Sequence, residues 1–335
     1  MACSLAHPTP WVYATIVSLM ALTACARQEA PPALAKRAAS DPQTRDQIVF
    51  VRYSDTTWLH TDAGAELYLA VLDEGIEQRL TKNEAHDAYP AWSRDGKRMA
   101  FVSDRDNSPM RGKQMTASGG RLGAMMGMEV YVMSADGSRS MRVTKDTSAD
   151  FVSQQSWSPD GAHVLVDSER DGDMEIYVLS LNGSVAAKLT DNSEWDGNAA
   201  WSPDGRQIAF RSNRSGEHAL YVMLVSGGDA VAITRPGERP NSPVWSPNGK
   251  LIAYASRRRG NSEIVVMNAD GSGGRTVTNH AAEDRNPSWS PDGGRLAFAS
   301  TRDGNAEIYV INADGTGARR VTANALGDEM PTWRP

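Results

Sequence analysis

Four aspartates occupy one place in a recurring pattern: Asp87, Asp196, Asp284 and Asp328 each precede a tryptophan by five residues. Carboxylates crowded together could coordinate a hard cation such as Ca2+, which takes six to eight oxygen ligands, or receive a basic segment of a partner. An arginine also recurs, as Arg105, Arg170, Arg214, Arg258 and Arg302, two residues after a serine that ends a strand-like run. A carboxylate present in most copies of a repeat, with a cation repeating beside it, reads first as an ion pair that holds each copy together. The two remaining copies carry Val152 and Pro240 at the aspartate position. Asp171-x-Asp173-x-Glu175 and Asp303-x-Asn305-x-Glu307 open like a Ca2+ loop, but they lack its sixth-position glycine and distal glutamate and read as tight polar turns.

The motifs of catalysis are missing. The chain has no G-x-S-x-G elbow, H-E-x-x-H pair, phosphate-binding loop or dinucleotide fingerprint. Its two cysteines, Cys3 and Cys25, both lie near the N-terminus, so the body has no disulfide and no thiolate metal site. The net charge of −6 leaves no basic footprint for a nucleic acid. His86 and His280 fall in loops at the same end as the aspartates, where a His/Asp metal site is one reading, but lone histidines in loops read first as bystanders.

The element that must position these residues is a repeat. Trp157, Trp201, Trp245, Trp289 and Trp333 are spaced by 44 residues, and Trp92 stands 65 before the first of them. A period in the forties signals stacked copies of one small sheet. The copy from Asp284 to Thr322 resolves into four strands: Asn286 to Trp289, Leu296 to Ser300, Glu307 to Ile311 and Arg319 to Thr322. Ser290-Pro291-Asp292-Gly293 is a type I turn in the making, with proline where φ near −65° is wanted and glycine last. A threonine closes each copy: Thr81, Thr144, Thr190, Thr234, Thr278 and Thr322.

The chain starts on second-strand material, Gln47 to Tyr53, and ends on a first strand, Pro331-Thr332-Trp333. The prediction is therefore an all-β, six-bladed β-propeller over residues 46–335. Its C-terminal strand completes the N-terminal blade, which removes open sheet edges. Each tryptophan is expected to fill space between neighbouring blades.

The string P-x-W-S-P-D-G-x-x-[IL]-A-F-x-S-x-R-x-G-x-x-E-I-Y-V-x-N-A-D-G resembles the repeat of TolB-type propellers, a WD-like family of bacterial envelopes. The resemblance implies a monomeric propeller and a protein partner, with a peptidoglycan-associated protein as the family's precedent. The family's additional α/β domain has no counterpart between Cys25 and Gln47.

Segments that depart from the repeat are the candidate binding residues. The second-to-third-strand loop of the Trp92 copy is lengthened by an insertion at about 107–127. It carries Met110, Arg111, Lys113, Met115, Arg121, Met125 and Met126. Flexible methionines make adaptable apolar contacts. The preceding copy has a long loop, Ser54 to Gly64, with Trp58 and His60. In a propeller these loops share an end with Asp87, Asp196, Asp284 and Asp328, and that end is the expected partner-binding face. The basic run Arg257-Arg258-Arg259 on the same end reads as solvated. The other functional readings are a metal-dependent lyase or hydrolase acting on a saccharide or small metabolite, and a cell-wall glycan-binding module.

Residues 11–24, WVYATIVSLMALTA, are too short a run for a membrane span, which needs about 20 residues, and fit the core of a secretory signal. The run ends in Leu22-Thr23-Ala24-Cys25, which resembles the lipobox of bacterial lipoproteins. That resemblance implies a signal peptide over 1–24, a lipid on Cys25 and, with Ala26 following, a periplasmic protein anchored to the outer membrane. Residues 25–45 are an Ala/Pro-rich tether.

Overall fold

The computed structural model describes residues 46–54, 64–106, 127–145 and 148–335. They form six four-stranded antiparallel sheets, the blades of a six-bladed β-propeller. Blade 1 contains β1 (Gln47–Tyr53), β2 (Ala65–Val71) and β3 (Ile76–Arg79). Blade 2 is β4 (Asp87–Trp92), β5 (Arg98–Ser103), β6 (Glu129–Ser134) and β7 (Met141–Arg142). Blade 3 is β8 (Asp150–Phe151), β9 (His163–Ser168), β10 (Glu175–Ser180) and β11 (Val185–Lys188). Blade 4 is β12 (Asp196–Trp201), β13 (Gln207–Ser212), β14 (Ala219–Leu224) and β15 (Val231–Ala232). Blade 5 is β16 (Pro240–Trp245), β17 (Leu251–Arg259), β18 (Asn261–Asn268) and β19 (Arg275–Thr276). Blade 6 is β20 (Asp284–Trp289), β21 (Arg295–Ser300), β22 (Glu307–Asn312) and β23 (Arg319–Arg320). The last strand, β24 (Asp328–Trp333), pairs antiparallel with β1, from Ile48 opposite Trp333 to Arg52 opposite Asp328, and is the fourth member of blade 1.

The repeat marks have local causes. In each Ser-x-Asx-Gly turn the glycine amide donates to the serine carbonyl, as from Gly96 to Ser93 and Gly161 to Ser158 at 2.8 Å. The serine hydroxyl binds the aspartate two residues on, as Ser93 does Asp95 at 2.7 Å. The closing threonines accept a third-strand amide through Oγ1, from Leu67, Val130, Ile176, Leu220, Ile264 and Ile308 at 2.9–3.0 Å. The tryptophans are buried against the preceding blade. Three of them donate the indole N–H there: Trp157 to Ala91 O, Trp245 to Ala200 O and Trp289 to Val244 O.

First strands begin earlier than expected, β20 at Asp284 rather than Asn286. In five blades they carry a bulge three residues before the tryptophan, where Tyr89, Asn198, Ser242, Asn286 and Met330 all have φ between 51° and 56°. Blade 3 breaks the pattern. Its β8 ends at Phe151, and Ser153–Ser156 form a turn before Trp157. From that turn Gln155 reaches Trp245 of blade 5, and Gln154 reaches Pro331 O, at 2.8 Å, and Asn286 O.

Candidate functional site

Each acidic position is engaged by an arginine of its own blade. Asp87, Asp196, Asp284 and Asp328 have no exposed surface, and each holds a guanidinium: Arg105 at 2.9 Å, Arg214 at 2.6 Å, Arg302 at 2.9 Å and Arg52 at 2.8 Å, respectively. Asn83 donates to the second oxygen of Asp87, and Asn192 and Asn324 donate to the Oδ2 atoms of Asp196 and Asp328, which also take an arginine N–H. Burial pushes the carboxyls of Asp284 and Asp328 up, against the pull of their arginines. Among the described residues no three His, Cys, Asp or Glu side chains converge on one point. The ion-pair reading of the repeat is the arrangement present.

Two details of that reading change. In blade 3 the aspartate position is filled after all: Asp150 pairs with Ser168 in register and binds Arg170 at 3.2 Å, because two additional residues separate it from Trp157. In blade 5 Pro240 keeps the register position opposite Ser256, and Glu238, two residues earlier, takes Arg258 at 2.9 Å. Arg257 and Arg258 of the basic run are exposed to solvent, as expected, and each also holds a glutamate, Arg257 pairing with Glu283 at 2.6 Å. His280 caps a turn through Nδ1, which accepts the Ala282 amide, and the His86 ring packs near Tyr53. Asp171 and Asp303 each accept the hydroxyl of a strand tyrosine, Tyr177 and Tyr309, as polar turns do.

Trp58, His60, Met110, Arg111, Lys113, Met115, Arg121, Met125, Met126 and Cys25 lie outside the described residues. The strand ends that flank the two long loops, Ser54 and Gly64 in blade 1 and Asp106 and Gly127 in blade 2, are at the end of the ring where the first strands begin.

At that same end the axis opens into a cavity of about 750 Å3. The left-handed residues Asn198, Ser242 and Asn286 line it, and a polar chain links neighbouring blades there, from Asn198 to Asn241 and from Asn286 to Ser242. On its blade 4 side stands an assembly that the repeat does not predict. Arg211 lies over the indole of Trp195, 5.2 Å from the ring centroid, and His218 meets the same indole edge-on at 5.8 Å. The Trp195 amide is tied to Asn213 Oδ1 at 2.7 Å. Gly197, opposite Arg211 in register, leaves the room: a Cβ there would come within 2.9 Å of the Trp195 ring and 3.2 Å of Asp167 Oδ2.

Arg211 Nε and His218 Nδ1 are fully buried atoms with no hydrogen-bond partner among the described residues. Burial lowers the Arg211 pKa, and burial with the Arg211 charge holds His218 below its ordinary value, neutral near pH 7. Beneath, Asp167 accepts the Asn198 amide at 2.6 Å, and burial pushes its carboxyl up to about 7.

The signal for this assembly was present in the repeat. Asp167 and Arg211 take, in adjacent blades, the place held by Val102, Ala255 and Ala299 elsewhere. Ala219 replaces a glutamate that the five other third strands carry as Glu66, Glu129, Glu175, Glu263 and Glu307. At the opposite end of the axis a smaller cavity, about 320 Å3, is walled by tryptophans such as Trp157 and Trp289 and by turn prolines, with Gln154 and Gln155 at its base.

Comparison with known proteins agrees with this architecture. The family model described as TolB beta propeller domain matches residues 151–259 and 239–335, more than half of the chain. The Tol-Pal system protein TolB of Desulfosudis oleivorans is 30% identical over 129 residues, 38% of this chain and 24% of that protein. The protein TolB homolog of Chlorobium luteolum is 29% identical over 139 residues, 35% of this chain and 31% of that one. The matched segment thus spans under a third of either relative. The crystal structure of TolB from Acinetobacter baumannii superposes with a TM-score of 0.70 at 21% identity, covering 87% of this chain and 67% of that one.

Proposed function

For this chain, which belongs to the TolB beta propeller domain family, we propose the role of a protein-binding module in a bacterial cell envelope. The mouth where the first strands begin is its binding face. The observation that carries the reading is the coincidence at one end of the ring of three departures from the repeat: the open cavity, the Arg211–Trp195–His218 assembly and the roots of the two long loops. Propellers of one fold host many activities, so the site and not the fold decides. Here the site offers aromatic and guanidinium groups, which concentrate in protein interfaces. The Tol-Pal designation of the D. oleivorans relative favours an envelope partner, a peptidoglycan-associated protein being the precedent.

The lipobox-like Leu22-Thr23-Ala24-Cys25 and the following tether support a body held near a membrane from the periplasmic side by a lipid on Cys25, with the outer membrane favoured by Ala26. In cells, deleting 107–127 is expected to abolish photo-crosslinking of the partner to the mouth while leaving the melting temperature of the purified protein nearly unchanged. Undiminished crosslinking rejects the loop as part of the face. Cys25→Ala is expected to move the protein from the membrane to the soluble periplasmic fraction.

A further inference from the structure

We propose that the mouth cavity receives a single carboxylate of a bound peptide, gripped by the Arg211 guanidinium against the face of Trp195. The inference rests on the protein-binding reading and names the chemistry that the face recognises.

The structural arginines of this fold each hold a carboxylate: Arg52, Arg105, Arg170, Arg214, Arg258 and Arg302. Arg211 holds none among the described residues, and burial is the sole influence on its pKa. The fold does not need a cation there, because Val102, Ala255 and Ala299 fill the same register position in other blades. A half-buried guanidinium with an unpaired, water-excluded Nε is costly to keep, and that cost is recovered when an acceptor arrives. The guanidinium fork matches a carboxylate edge-on, with two parallel N–H donors. Trp195 fixes the plane of the fork, as stacked arginines require. His218 Nδ1 offers another unused polar atom beside the same indole.

Charge count separates a carboxylate from a phosphate. Of the other lining cations, Arg257 and Arg285 are already paired with Glu283 and Glu329, and the exposed Arg239 is offset in charge by the exposed Glu217, which lines the same cavity. One uncommitted guanidinium deep in the wall neutralises one negative charge. A dianion would meet the exposed Glu217 carboxylate with its second.

The test uses the mature chain and blocked five-residue peptides, glycine except for a central glutamate in one and glutamine in the other, with acetate and inorganic phosphate as further arms. The readout is the indole N–H resonance of Trp195, identified through Trp195→Phe, followed along a titration. The glutamate peptide is expected to shift it and the glutamine peptide to leave it. Arg211→Val should weaken the glutamate peptide by about ten- to a hundredfold while the melting temperature holds or rises. Equal shifts from both peptides, or binding indifferent to Arg211→Val, overturn the proposal. So does a fall in melting temperature with Arg211→Val and no shift from any probe, which makes the residue structural. Phosphate bound as tightly as the peptide, through Arg211, overturns the carboxylate, and acetate bound where the peptide is not overturns the peptide. If Arg211→Val still captures the cellular partner, the carboxylate grip is wrong and the protein-binding reading stands. If the peptide binds and no partner is captured, the grip stands without it.

Discussion

Gln155 supplies both backbone hydrogen bonds of Trp245, two blades away. Its Oε1 accepts the Trp245 amide and its Nε2 donates to the Trp245 carbonyl, each at 2.7 Å. The side-chain amide thus acts as one more residue of a neighbouring strand, made available because blade 3 gives up its own first-strand pairing between Phe151 and Trp157.

Gln155→Ala leaves the Trp245 amide and carbonyl without these partners and is expected to cost about 1–3 kcal/mol for each group left unsatisfied. Chemical denaturation checks it. A variant as stable as the parent would show the contact to be incidental.

The pairing of β24 with β1 carries a buried ion pair, Arg52 with Asp328, reinforced by Glu77 on Arg52 at 2.7 Å. Asp328→Ala should cost about 3–5 kcal/mol, the usual penalty for stranding one member of a buried pair. Removing residues 328–335 altogether should prevent cooperative folding, seen as loss of the calorimetric transition. A full transition in that truncation contradicts the completion of blade 1 by the C-terminal strand.

Asp167 gives stability a pH dependence of a sign opposite to that of a salt-bridged aspartate. Its folded pKa is raised to about 7, against about 3.9 for an unfolded aspartate, so the native state binds more protons between these values. Its contribution is greatest below pH 4, declines as pH rises through 7 and is flat above. Asp167→Asn, whose amide oxygen still accepts the Asn198 N–H, should remove that decline and be the more stable form at pH 8, by no more than about 4 kcal/mol. Melting curves from pH 4 to 8 on both proteins decide it.

Gly183 sits at φ 88° where an added Cβ would overlap the carbonyl oxygen of Val143 in the preceding blade, whereas Gly172, at φ 111°, has nothing near it. Both substitutions to alanine meet backbone strain, but Gly183→Ala must also push two blades apart. It should cost at least about 1 kcal/mol more than Gly172→Ala, measured as a difference in denaturation midpoint.

The ring was legible because its causes are periodic. Tryptophan against the blade before it, a threonine hydroxyl on a third-strand amide and a serine-to-glycine turn each act locally and recur at fixed distances. The site was legible only where it followed the same period. Counting back five from Trp157 lands on Val152 because two residues inserted ahead of that tryptophan displaced Asp150, and the insertion falls in the one irregular interval of the chain. The mouth assembly is built from exceptions. Arg211 replaces a small apolar residue on a strand, Ala219 replaces a glutamate, and Gly197 leaves space that only three dimensions reveal. Nothing in spacing says that Trp195, Arg211 and His218 stack, because they come from a loop, a strand and another loop of one blade.

The glutamine pair has one more consequence. Gln154 and Gln155 line the cavity between the tryptophans and are tied at their far ends to main-chain atoms of blades 5 and 6 and of the last strand, so a ligand entering from that side meets amides already anchored rather than free side chains.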